Sequence, residues 1–214
     1  MRRTHTKDDI VRAGLEIMLT KGFNATGVEA ILKKANVPKG SFYNFFPSKE
    51  EFGLAVVDQF RAEIGVISQP ILADCSLPPL ARLRKYFEIL IDRFEENNCT
   101  QGCLIGNLGL EMADQSDALR KRLDDGLSRW TDMVASVLVE AQSAKTLPTD
   151  LDTRLLAGTL ISSFEGALLF GKVKKSVEPL RSFICLFFDQ FLSFGQNRSS
   201  RKVGSRLLQS KKLG

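Results

Sequence analysis

Apolar residues recur at helical spacing along most of the chain, and no stretch of useful length alternates apolar with polar residues. Spacing of i, i+3, i+4 and i+7 gives a helix one buried face, whereas a half-buried strand needs strict alternation. Pro and Gly residues divide the chain into segments of helical length, and no internal repeat is present. The sequence therefore predicts an all-α protein.

Three short helices are predicted in the first fifty residues. Capping boxes begin at Thr26 and Ser48, and a related sequence with Asp in place of Glu begins at Thr6. Such boxes give the free N–H groups of a first helical turn a side-chain acceptor. Pro38 disfavours helix at Val37 and suits the start of a new helix, so a tight turn is expected there. The predicted helices cover residues of about 7–21, 27–35 and 38–45.

The second and third predicted helices, joined by this turn, form a helix-turn-helix. In that motif the second helix enters the major groove of DNA, and flanking elements contact phosphates. Phe42, Phe45 and Phe46 have the spacing of core anchors. A glycine permits close backbone approach, Lys and Tyr can contact phosphate, and Ser and Asn can bond to base edges or phosphate. The remaining, outward positions are Lys39, Gly40, Ser41, Tyr43 and Asn44. A buried three-helix unit without DNA contact is the alternative.

The charge distribution is uneven. Residues 1–50 contain nine basic and five acidic residues, whereas residues 51–197 contain fifteen basic and twenty acidic residues. A basic N-terminal segment before an acidic remainder favours a polyanionic partner for the N-terminal segment. Chance asymmetry would explain the charge distribution equally well if no other feature were considered. Residues 198–214 contain six basic and no acidic residues, so we expect a disordered basic tail over 196–214.

Several function classes are disfavoured. His5 is the single histidine, so no Ser-His-Asp or Cys-His pair can form in the body, and an enzyme is not expected. Cys75, Cys99, Cys103 and Cys185 lack the spacing of a disulfide framework or a zinc site, so we expect no metal and no cofactor. The first residues lack a secretory apolar region, and no apolar run reaches membrane-spanning length. We therefore expect a cytoplasmic protein without a membrane partner.

Residues 26–52, TGVEAILKKANVPKGSFYNFFPSKEEF, resemble the DNA-binding signature of the TetR family of bacterial regulators. Asn36 replaces the usual Gly of the turn, and Asn44 stands where His is common. The resemblance implies phosphate contacts from Thr26, Lys39, Tyr43 and Lys49. It implies base-edge or groove contacts from Gly40, Ser41 and Asn44. Arg2 and Arg3 are candidates for an N-terminal arm, or for a terminus without a role.

The later segments predict six further helices, and the last two carry apolar residues on more than one face. Double-sided apolarity implies a partner surface, so we expect these helices to form a four-helix interface in a homodimer, which the family resemblance also implies. A purely internal core is the alternative. The six helices are predicted near 48–68, 78–97, 103–113, 116–144, 150–174 and 178–195.

Cys103 opens one of these helices, where the helix dipole favours a thiolate. Residues 102–111 and 166–180 resemble a branch of the family related to regulators of electrophile-detoxifying reductases and acrylate metabolism. That resemblance implies sensing by Cys103 and Lys172, whereas a small, well-packed thiol is the alternative. Candidate effector contacts, each open to explanation as plain core, include Phe94, Leu104, Asn107 and Trp130.

The sequence thus predicts a helix-turn-helix domain over 1–47, a six-helix effector-binding and dimerisation bundle over 48–195, and the tail. The expected function is sequence-specific binding of a palindromic double-stranded DNA operator, with release by a small-molecule effector or reactive electrophile; repression is implied by the family resemblance. One alternative is an effector-independent nucleic-acid-binding or architectural protein. Another is a ligand-binding or enzymatic helical bundle.

Overall fold

A computed structural model describes residues 6–192 of the chain, and every regular element within this range is helical. The predicted all-α class is therefore confirmed. His5, the Arg2 and Arg3 arm, the basic tail and the Lys39 side chain lie outside the described residues. The helices are α1 (Lys7–Lys21), α2 (Val28–Ala35), a 3₁₀ turn (Lys39–Ser41) continuing into α3 (Phe42–Phe45), α4 (Lys49–Leu72), α5 (Pro79–Glu96), α6 (Leu104–Met112), α7 (Asp117–Ser143), α8 (Thr153–Lys174) and α9 (Glu178–Ile184), which continues as a π-helical segment (Cys185–Phe191).

Local signals predicted the start of α1 and the end of α2, but the N-cap of α2 is Gly27, without a side-chain cap, rather than the predicted Thr26. Thr6 and Asp9 form a reciprocal capping box, in which Asp9 N–H donates to Thr6 Oγ1 at 3.3 Å and Thr6 N–H to Asp9 Oδ2 at 2.9 Å. Asn36 ends α2 in the left-handed region at a φ of 56°, which Asn tolerates better than most residues. The third predicted helix is a 3₁₀ turn followed by a single α-helical turn.

Two later elements differ from prediction. α4 does not end at residue 68 but continues through Pro70 to Leu72. Pro70 lies in the last turn, where its missing N–H removes a single helical bond, that to the Val66 carbonyl. The Arg82 guanidinium donates to the Leu72 carbonyl, one of the last carbonyls for which a helix has no internal donor. The last helix begins at Glu178 as expected, but its second half is π-helical rather than α-helical.

The chain forms two compact units, each with its own core. The first comprises the residues up to Ser68 and Thr100–Arg129, so α6 and the first half of α7 pack with the N-terminal helices. The core of this unit includes Ile10, Met18, Ile31, Phe42, Phe52, Val56, Leu104, Leu108 and Leu119.

The second unit comprises Gln69–Cys99 and the chain from Trp130 onward. Aromatic rings join three of its helices, because Phe87 of α5 lies 5.1 Å from Phe164 of α8 and 5.2 Å from Phe183 of α9. By length and composition α8 alone among the described helices could cross a membrane, and 39% of its most apolar window is buried inside the protein. Core helices of globular proteins share this length and composition.

Candidate functional site

The recognition segment, residues 38–46, presents a polar outer face on aromatic anchors. Phe42 and Phe46 are fully buried and stack edge-on against Phe52 of α4, with ring centroids 5.3 and 5.0 Å away. Phe45 is partly buried against the same core. Because α3 is a single turn, these anchors rather than its own hydrogen bonds fix its position. The aromatic spacing read from the sequence is thus confirmed as core packing.

The outward residues of the recognition segment are exposed. The Tyr43 side chain is 68% exposed, Gly40 and Asn44 are exposed, and Ser41 is partly exposed. A Cβ atom built on Gly40 would meet nothing within 4 Å, so a large flat partner can approach the backbone there. This face therefore offers a hydroxyl, an amide and a phenol to a surface such as a DNA groove.

Thr26 does not lie on that face. Its side chain is fully buried, and its hydroxyl donates to the Gly22 carbonyl at 2.5 Å. The phosphate contact predicted for the Thr26 side chain is therefore not supported, since the hydroxyl proton is used inside the protein. The threonine instead fixes the α1–α2 loop, residues 22–27, just before α2 begins.

Lys49 is the first residue of α4 and lies against the α1–α2 loop. Its Nζ is 4.6 Å from the centre of the Phe23 ring and donates to the Asn24 carbonyl at 3.4 Å. Partial burial lowers the pKa of Lys49, and the negative charge of Glu111 opposes that shift. The cation is thus held in place next to the helix-turn-helix rather than extended into solvent.

Glu111 of α6 is a residue of this site that sequence reasoning missed. Its Oε2 accepts the N–H of Phe23 and its Oε1 accepts the N–H of Asn24, both at 2.7 Å. Gln115 accepts a bond from the Asn24 side chain at 3.1 Å. These partners are nearly ninety residues apart in sequence, so no local pattern predicts the contact. The one local signal is Gly22, whose positive φ marks an unusual loop.

The predicted effector residues fall into both units. Cys103 precedes α6, is partly buried, is not in a disulfide, and packs on the core of the first unit with the buried Leu104. Asn107 donates to the Leu19 carbonyl at 3.4 Å. The structure therefore places three predicted sensor residues on α6 or at its start.

The other three predicted effector residues belong to the second unit. Phe94 is buried next to Gly171, and the Trp130 ring packs edge-on against Phe164 at 6.2 Å. Lys172 is partly buried, and burial together with the neighbouring positive charge of Lys175 lowers the pKa of Lys172. Residues 6–192 contain no cluster of His, Cys, Asp and Glu suited to a metal ion.

The outer side of α8 carries exposed apolar residues and borders an open groove. The groove has a volume of about 630 Å³, and none of the predicted effector residues lines it; its walls include Asp152, Arg154, Leu155, Gly158, Thr159 and Ser162. Large apolar side chains are also exposed on α8 and the π-helical segment. They are Leu155, Leu169, Phe170, Val173, Leu186 and Phe191.

Comparison with known proteins shows which protein families this chain resembles. Residues 10–56 match the family described as bacterial regulatory proteins, tetR family, and residues 79–187 match the tetracyclin repressor-like C-terminal domain. The HTH-type transcriptional repressor DhaR of Mycobacterium sp. (strain GP1) is 36% identical over 200 residues, which cover 94% of this chain and 99% of the relative.

Solved structures agree. The regulatory protein TetR from Rhodobacter sphaeroides superposes with a TM-score of 0.80 at 37% identity, covering 84% of this chain and 95% of that one. The reduced form of E. coli NemR superposes with a TM-score of 0.78 at 27% identity, covering 85% and 94%. The chain therefore belongs to the TetR family of bacterial regulatory proteins and is a DNA-binding transcriptional regulator.

Proposed function

We propose that the protein is a cytoplasmic repressor, which binds a palindromic operator as a homodimer and leaves it when an effector acts on the body. This proposal rests on the recognition segment, in which the buried Phe42 and Phe46 side chains hold a polar face exposed to solvent. Lys39, Tyr43 and Lys49 contact phosphates, and Gly40, Ser41 and Asn44 contact base edges. The effector-binding and dimerisation body is assigned to residues 48–195.

The test is to select bound fragments from the source genome and to measure their affinity at several salt concentrations. Lys49→Ala is expected to weaken binding on every sequence and to flatten the log–log salt slope by about one unit, because one phosphate contact is lost. Lys121→Ala, an exposed lysine of α7, is the control and leaves both quantities unchanged. An unchanged slope for Lys49→Ala contradicts the phosphate role. Salt-sensitive binding without sequence preference would instead indicate an architectural protein.

The dimer interface is assigned to α8 and the helix that follows it. Support comes from the exposed side chains on α8, of which Val173 is 77% exposed although the helix also contributes buried residues to its own unit. Gly158 and Gly166 have open space at the Cβ position, so a second helix can approach closely there. A two-fold dimer presents two recognition segments to the two halves of a palindrome.

The effector is assigned to the class of thiol-reactive electrophiles, with Cys103 as the reacting residue and Lys172 as a further sensing residue, as in the Gly-Cys-Leu branch that the sequence resembles. Support comes from Cys103, which stands at the N-terminus of α6, where the helix dipole stabilises a thiolate. The likeness to NemR, whose solved structure is of a reduced form, agrees with redox or electrophile control. Modification shifts the population of two conformations, one of which binds the operator better.

Operator release on adding N-ethylmaleimide tests this assignment. The wild-type protein is expected to release the operator, and Cys103→Ser is expected to retain it. Cys75→Ser removes an exposed thiol between α4 and α5 and serves as the control, which should release the operator like the wild type. Equal release by wild type and Cys103→Ser would exclude Cys103 as the sensor.

A further inference from the structure

We propose that Glu111 of α6 is the positioning residue that holds the helix-turn-helix in its DNA-binding conformation. This inference rests on the proposed DNA-binding function and adds a residue that contacts no DNA. Its basis is a pair of hydrogen bonds from the α1–α2 loop to a single carboxylate. Glu111 therefore acts through the loop, and not by contact with the operator.

The carboxylate satisfies two consecutive backbone donors of the loop. Phe23 and Asn24 each donate an N–H to a different oxygen of Glu111 at 2.7 Å, a distance typical of charge-assisted bonds. Gly22 makes room for this arrangement, because a Cβ atom there would clash with Glu111 Oε2. Loss of the carboxylate would leave two backbone donors to find new partners, so the loop would lose its fixed conformation.

The loop in turn determines where the DNA-facing groups lie. The Gly22 carbonyl accepts the hydroxyl of the buried Thr26, which directly precedes α2. The Asn24 carbonyl accepts the Lys49 ammonium, which also lies over the Phe23 ring. The loop that Glu111 holds is thus closed by an internal bond directly before α2 and is bonded to the phosphate-contacting lysine.

A second explanation is that Glu111 serves only as a counter-charge for Lys49. The two groups do interact electrostatically. However, both carboxylate oxygens are engaged by amides of the loop, and the Lys49 ammonium bonds to a loop carbonyl rather than to the carboxylate. The two explanations predict different results for Glu111→Gln. Loss of a positioning residue loosens the loop amides and weakens operator binding, whereas loss of a counter-charge alone leaves those amides protected and the Lys49 cation still able to attract phosphate.

The experiment uses the full-length protein and an operator fragment selected from the genome. Glu111→Gln keeps one amide-accepting oxygen and the side-chain size, and Glu111→Ala removes both acceptors. Glu16→Gln is the matched control, since Glu16 bonds Lys34 at 2.5 Å and joins α1 to α2 on the exposed surface. The measurements are operator affinity against salt concentration, and hydrogen exchange of the Phe23 and Asn24 amides without DNA.

Glu111→Gln is expected to weaken operator affinity roughly tenfold, with a parallel salt dependence, and to accelerate exchange of the two amides by a similar factor. Glu111→Ala is expected to show larger changes, and Glu16→Gln neither change. Wild-type affinity in both Glu111 variants would overturn the proposal, as would unchanged exchange of the Phe23 and Asn24 amides. Faster exchange throughout both units would also overturn it, because the residue would then support the fold in general.

The same data separate this proposal from the function on which it rests. A wild-type protein that binds no genomic fragment at any salt concentration contradicts the DNA-binding proposal. In contrast, a wild-type protein that binds its operator with a steep salt dependence, while Glu111→Ala binds equally well, contradicts the positioning role alone.

Discussion

Gly22 illustrates how one residue's backbone freedom serves the site. It leaves α1 at a φ of 78°, a conformation that residues with a side chain adopt only at a cost. Its N–H still bonds to the Met18 carbonyl at 2.9 Å, so the helix ends without an unsatisfied donor at this point. The space where a Cβ atom would lie is occupied by the Glu111 carboxylate.

Two glycine substitutions should therefore have opposite effects on the free energy of unfolding. Gly22→Ala is expected to lower the free energy of unfolding by about 1–3 kcal/mol, because of its strained φ and its contact with Glu111. Gly65→Ala, inside α4 with nothing within 4 Å of the new Cβ atom, is expected to raise it by about 0.5–1 kcal/mol. Urea unfolding at one protein concentration measures both. A Gly22→Ala protein as stable as Gly65→Ala would refute the steric argument.

At the residue scale, sequence reasoning succeeded where a side chain's role depends on near neighbours. The aromatic anchors followed from spacing alone, since Phe42 and Phe46 are one turn apart. It failed where the role depends on distant parts of the chain. The Glu111 carboxylate bonds to residues far away in sequence. Thr26 is a different case, because its hydroxyl bonds to the Gly22 carbonyl only four residues earlier, and what the sequence did not reveal was the burial of its side chain.

At the scale of helices, α5, α8 and α9 pack against one another through aromatic side chains. Phe164 is 2% exposed and lies within 6.2 Å of the rings of Phe87, Trp130 and Phe183. Such clusters stabilise by burial and by edge-to-face ring contacts. A single truncation at their centre should leave a cavity bordered by three helices.

Phe164→Ala is accordingly expected to lower the free energy of unfolding by about 3–5 kcal/mol, as is usual for a buried phenylalanine. Val139→Ala, at a half-exposed position of α7 in the same unit, should change it by less than about 0.5 kcal/mol. Chemical denaturation followed by circular dichroism gives both values. A cost below about 1 kcal/mol for Phe164→Ala would mean that the neighbouring rings collapse into the space.

Helix positions could be predicted from the sequence because caps and breakers act within one turn. The reciprocal box at Thr6 and the left-handed Asn36 are examples. The continuation of α4 through Pro70 could not be predicted, because it accompanies a bond from Arg82 to the end of the helix. The π-helical segment after α9 has no local breaker in its sequence, and the pattern of apolar residues does not distinguish it from an α-helix.

At the scale of the whole molecule, DNA recognition depends on assembly of two chains. Phe170→Glu places a charge at a 59% exposed position of α8 and should convert the dimer to a monomer, since an unpaired charge in an apolar interface is costly. The operator affinity should fall with it. Val66→Glu, at a 76% exposed position of α4, is the control. Analytical ultracentrifugation shows the outcome, and a persistent Phe170→Glu dimer would place the interface elsewhere.

The shortness of α6 has a mechanical consequence. With nine residues it is about 13 Å long, and it carries the Cys103 thiol at its start and Glu111 in its last turn. So short a helix bends little. A displacement of its first residue along the helix axis therefore displaces its last residue by almost the same distance. A movement of about 1 Å would stretch both loop bonds past the range in which they hold. An adduct of a few atoms on the Cys103 thiol would therefore be large enough to break both loop bonds and release the helix-turn-helix from its DNA-binding conformation.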